Sequence, residues 1–110
     1  MIDETLSKIE ARIQSADAIS DEKRRELQQL LATLKAEVAT LYRTHAGQAE
    51  NIAGLTEVST SEAVRSQTNP DRLRSSLENL TSSVEEFETS HPRLVQIVNS
   101  ISSTLANLGI

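Results

Sequence analysis

The chain contains no cysteine and no tryptophan, and Tyr42 and Phe87 are its only other large aromatic residues. Without thiols there is no disulfide framework and no thiolate chemistry, a composition that fits a reducing cytoplasm. With so few aromatics the core must be aliphatic, and at 37% hydrophobic residues it must also be thin. Glycine is scarce as well. Gly47, Gly54 and Gly109 stand far apart, so no glycine-rich loop exists to cradle a phosphate. Serines are numerous, yet neither His45 nor His91 has the strand-and-turn context of a hydrolase nucleophile.

Positive charge is also in deficit. The formal net charge is −5, and the one basic run, Lys23, Arg24 and Arg25, is interleaved with Asp21, Glu22 and Glu26. Nucleic acid calls for a clustered basic face, so it is excluded as a partner, and the run reads as a solvated helix start. No long apolar run is present. The uncharged stretch from Leu94 to Ile110 carries Gln96, Asn99, Ser100, Ser102, Ser103, Thr104 and Asn107, too polar for a membrane span. Met1 is followed closely by Asp3 and Glu4, which is unlike a signal peptide, so a cytoplasmic location is expected. Acidic helix faces would be repelled by anionic lipid surfaces.

What the chain does have is helical periodicity. Leu73, Leu77, Leu80, Val84, Phe87, His91, Leu94, Val98, Ile101, Leu105 and Leu108 follow one another at alternating spacings of four and three. All but His91 are apolar, which predicts a helix over about residues 70 to 108, kinked or restarted at Pro92. Asn69 before Pro70 is a strong start signal for it. A short helix is predicted over about residues 3 to 16, with Ile2, Leu6, Ile9 and Ile13 on one stripe. Ser20, followed by Asp21 and Glu22, caps a second helix whose stripe is Leu27, Leu31, Leu34, Val38, Leu41 and His45. Beyond His45 the apolar positions become small: Ala46, Ala49, Ile52, Ala53, Ala63 and Val64. The helix is expected to run to about Arg65, with a break near Gly54 as the alternative.

A sharp turn near residues 66 to 70 then folds the chain back. Positions whose numbers sum to about 136 face each other, placing His45 opposite His91 and small Ala49 opposite large Phe87. The expectation is a single all-α domain, a long antiparallel helical hairpin about 60 Å in length at 1.5 Å per residue, with a short N-terminal helix thickening one end. Such a hairpin leaves apolar stripes in water, so a homo-oligomer is expected, a dimer first, forming a four-helix bundle or coiled coil.

The run Phe87, Glu88, Thr89, Ser90, His91, Pro92, together with the ending Leu105, Ala106, Asn107, Leu108, Gly109, Ile110, resembles the bacterial family catalogued as domain of unknown function 4404. The resemblance is best over about residues 71 to 110 and weaker over residues 2 to 43. The segment from Ala46 to Arg65 is similar to what longer members carry. The resemblance implies a small bacterial helical protein and brings no activity.

The sharpest chemical hint is Glu88 with His91, an acid and an imidazole three residues apart on one helix. Helix-bundle di-iron sites use that spacing from two helices, and an opposed His45 would add a nitrogen ligand. A metal- or small-ligand-binding bundle using His45, His91 and Glu88 is therefore the alternative reading, although no inward-facing glutamate is evident on the second helix. The structural reading takes Ser90 as a cap for amides freed near Pro92, Pro92 as a kink, and His91 as a hydrogen-bonded core residue. Gly109 is read as a left-handed helix stop. Arg72, Arg74 and Arg93 would suit an anion only if brought together. No catalytic residue and no cofactor site is read, and the function expected is a non-enzymatic, self-associating helical scaffold or protein-interaction module.

Overall fold

Local signals and structure agree first at the helix starts. The computed structural model describes residues 2 to 109. Helix α1 spans Ile2–Ser15, α2 Asp21–Tyr42, α3 Ala46–Ala63, α4 Pro70–Ser83 and α5 Pro92–Gly109, with a single 3-10 turn at Glu85–Phe87. The Ser20 hydroxyl accepts from the Lys23 amide at 3.2 Å, opening α2. The Asn69 side chain accepts from the amides of Asp71 and Arg72 at 3.1 and 3.2 Å, and Pro70 follows where its missing N–H costs nothing. Among the described residues there is no strand, and no helix is long and apolar enough to cross a membrane.

Between its starts the chain departs from the extended hairpin. The long helix read over residues 21 to 65 is two helices, α2 and α3, separated at Arg43–His45, and the second arm breaks between Val84 and His91 before restarting at Pro92. The antiparallel pairing of the arms survives in each half. Helix α2 lies along α5, where the Thr104 hydroxyl reaches Glu26 at 3.3 Å, and α3 lies along α4. The two breaks sit at the same level, and there the hairpin folds in half, so that α3 packs against all four other helices. Its longest dimension is 37 Å, against the about 60 Å expected of straight arms. The physical reason is the stripe itself. A hairpin with one face still apolar hides that face most directly by closing on its own other half.

Closure explains why the middle of α3 is built from small residues. Ala49, Ile52, Ala53, Thr56, Ser59, Thr60 and Ala63 are all buried, and only small side chains let several helices approach one backbone. Thr56 returns its hydroxyl to the Ile52 carbonyl at 2.8 Å, whereas the hydroxyls of Ser59 and Ser102 are buried without a partner. The aliphatic residues of α1, α2, α4 and α5 surround this core, and Tyr42 and Val58 are the large hydrophobics left exposed among the described residues. The stripe on which the expected homo-oligomer rests is thus largely covered within one chain.

Gly54 sits in the interior of α3, and a Cβ built on it meets nothing within 4 Å. Gly54→Ala should therefore raise stability by about 0.5–1 kcal/mol, the helix-propensity difference between the two residues. Denaturant unfolding at fixed m checks this, and a loss of stability would mean that α3 is under strain at this point.

Candidate functional site

The sequence points to residues 88 to 92 and His45, and the fold brings the two regions together at the bend. His45 occupies the position before α3 with φ −138° and ψ 60°, and its side chain caps none of the free amides there. Its ring meets Phe87 edge-on with centroids 5.4 Å apart, and Phe87 meets His91 in the same way at 5.5 Å. The two imidazoles are 6.3 Å apart at an interplanar angle of 84°. Phe87 is buried and both histidines are half-buried, so the three rings form a plug where the two arms fold. Edge-to-face packing of this kind suits the ring quadrupoles.

One ring nitrogen of each histidine is engaged locally. His45 Nδ1 lies 2.8 Å from the Thr44 hydroxyl, and His91 Nδ1 lies 3.0 Å from the Ser90 hydroxyl. Ser90 therefore serves the imidazole, in place of the backbone amides it was expected to cap. His91 also holds the restart of α5, because its N–H bonds the Phe87 carbonyl at 2.8 Å and its carbonyl accepts from Val95 at 3.4 Å. Glu88 is exposed and helical in the turn just before it. No group of three or more His, Asp or Glu side chains is placed to hold a metal ion among the described residues, so Glu88 does not complete a ligand set with the imidazoles. Gly109 stands as the last residue of α5, and no glycine among the described residues has a positive φ.

Two of the three arginines weighed as an anion site are paired with carboxylates. Arg72 pairs with Glu62 at 3.5 Å and Arg74 with Asp71 at 3.3 Å. Two charged groups that sequence reasoning passed over are more deeply engaged. Glu62 is buried at the end of α3 and also binds Arg65 at 2.8 Å. Arg24, read as part of a solvated run, folds under the α1–α2 turn and donates to the carbonyls of Ile13, Gln14, Ala16 and Ile19. An open groove of about 660 Å³ lies between α1 and α2 and is lined by Ser7, Glu10, Gln14, Gln28 and Lys35 with aliphatic side chains between them. It contains neither histidine, and its polar rim is spent on Gln14–Gln28 and Glu10–Lys35 contacts between the two helices.

The model of the family described as domain of unknown function (DUF4404) matches residues 27–110. The match runs through α3, the segment that resembled an addition of longer members, and leaves out α1 and the α1–α2 turn. Neither the curated proteins nor the solved structures yield a match.

Proposed function

The chain belongs to the DUF4404 family, and on that premise, which assigns no chemistry, we propose that it is a non-enzymatic, self-associating helical protein-interaction module. The observation that carries the proposal is how the polar groups are used. His45 and His91 are packed as rings on Phe87, Arg24 closes a helix end, and Glu62 ties two helices together, so among the described residues these polar groups serve the fold. A second reading, a metal- or small-ligand-binding bundle, is favoured by one observation, the 6.3 Å approach of the two imidazoles.

Native mass spectrometry of freshly purified protein, before and after chelation, separates the two. Bare chains with a dimer population are expected. A chelator-removable mass in proportion to the number of chains would overturn the module reading and direct attention to His45, His91 and Glu88. His91→Leu provides the companion test. Its side chain keeps the apolar contact with Phe87, so thermal stability should change by less than about 1 kcal/mol or rise. A larger loss would mean that the imidazole does more than fill space.

A further inference from the structure

The bend between α2 and α3 is poorly made for a permanent helix end. No side chain caps α3 and its first turn carries no acid, in contrast to the Ser20 and Asn69 caps of α2 and α4. Arg43 is still helical at φ −61° and ψ −33°. The His45 N–H still reaches the Leu41 carbonyl at 2.8 Å, and the His45 carbonyl already accepts from Ala49 at 2.9 Å. The Arg43 and Thr44 amides tighten to the carbonyls three residues back, those of Thr40 and Leu41, and the rungs that would join Ala46, Gly47 and Gln48 to Tyr42, Arg43 and Thr44 are not made.

The buried stripe ignores this break. Leu27, Leu31, Leu34, Val38, Leu41, His45, Ala49, Ile52, Thr56, Ser59 and Ala63 all fall within about 40° of one line at 100° per residue, as on a single straight helix of ten turns. Every member is buried except His45, which is half-buried. In the other arm, Leu80, Val84, Phe87, His91 and Leu94 hold their four-and-three spacing through the second break. A chain that only ever folds shut has no need of a face that stays in phase across both bends.

We propose that the closed hairpin opens at His45 and Pro92 and pairs with a second copy of this chain by exchanging halves. The α3–α4 half of each chain then packs on the α2–α5 half of the other. This rests on the self-association proposed above and assigns its partner and geometry. In the open form α2 and α3 join into one helix and regain the missing backbone bonds, while Pro92 keeps the second arm a kink instead of a join. The α2–α5 and α3–α4 pairings stay within each chain, α1 stays with the α2 it leads into, and the contacts of α3 with α1, α2 and α5 are remade across the dimer. Short hinges between complementary halves favour such exchange over closure when the connecting segment prefers to be straight.

The chain has no native cysteine, so the variant Glu22→Cys/Val58→Cys places two spin labels on exposed helix positions without interference. The labelled chain is refolded at high concentration with an excess of unlabelled chain, and the dimer fraction is isolated. The two sites are 36 residues apart, about 54 Å along a continuous helix at 1.5 Å per residue, whereas the closed molecule is 37 Å in its longest dimension. The expected result is a dimer whose within-chain distance is near the larger value. Ala46→Pro supplies the control. A proline at the first position of α3 suits the closed form, blocks a continuous helix, and should abolish this dimer. A dimer that keeps distances under 37 Å and tolerates Ala46→Pro would overturn exchange and leave self-association standing. Monomer alone at every concentration would overturn both.

Discussion

Arg24→Ala should lower the stability of the protein by about 3 kcal/mol, a loss on the order of 10 °C in melting temperature for a domain of this size. The guanidinium donates to four carbonyls in the last turn of α1 and the loop after it, those of Ile13, Gln14, Ala16 and Ile19. Those of Ile13 and Gln14 are among the carbonyls a helix end leaves without partners, and a cation is also favoured there by the helix dipole. The Arg24 side chain is only 18% exposed, so its charge is compensated by those carbonyls and, at 3.9 Å, by Asp21. Removing it leaves part-buried acceptors unsatisfied and unlatches a helix that contributes Leu6, Ile9 and Ile13 to the core. Hydrogen exchange should therefore accelerate in α1 before the rest of the molecule. Arg24→Lys is expected to recover less than half of the loss, because an ammonium cannot reach as many carbonyls as a planar fork. Thermal and urea unfolding followed by circular dichroism decide the matter, and a loss below about 1 kcal/mol would reduce Arg24 to an ordinary surface residue.

Nothing in the order of residues distinguishes Arg24 from Lys23 and Arg25 beside it. Its role depends on α1 turning back across residues 16 to 20, a tertiary event that hydrophobic periodicity does not register. The same limit explains the break at His45. Asn69 with Pro70 and Ser20 with Asp21 are chemical start signals and could be read directly, whereas α3 begins without a capping side chain, without an acid and without proline. The phase of the stripe also continues through it, so periodicity favoured one long helix, and the glycine signal pointed instead to Gly54, which stays inside α3. The opposition of His45 and His91 was legible because it depends only on hairpin register, which the bend preserves. The inward face of α3 was only half legible. Ala49, Ile52 and Ala53 carry the apolar signal, but Thr56, Ser59, Thr60 and Glu62 are buried as well, and their burial comes from helices arriving on several sides.

Glu62 gives the second large effect, with an asymmetry that tests the burial directly. Its side chain is 8% exposed, while its partners Arg65 and Arg72 are 53% and 66% exposed. Removing both arginines would strand a carboxylate in the interface between α3 and α4, and the double variant Arg65→Ala/Arg72→Ala should cost about 2 kcal/mol. That is below the 3–5 kcal/mol, approximately, of a fully buried pair because both guanidinium groups already sit partly in water. Removing the acid instead leaves two cations that water can solvate. Glu62→Leu should therefore cost less than about 1 kcal/mol and fill the same space with apolar atoms. The two changes are not additive, since in the chain lacking both arginines Glu62→Leu removes the stranded charge and should restore most of the lost stability. Urea unfolding of the wild type and these three variants closes the cycle. If Glu62→Leu worsens the double variant, the carboxylate is solvated after its partners are gone, and the joint between α3 and α4 is held by buried apolar residues such as Ala63 and Leu73 instead of by charge.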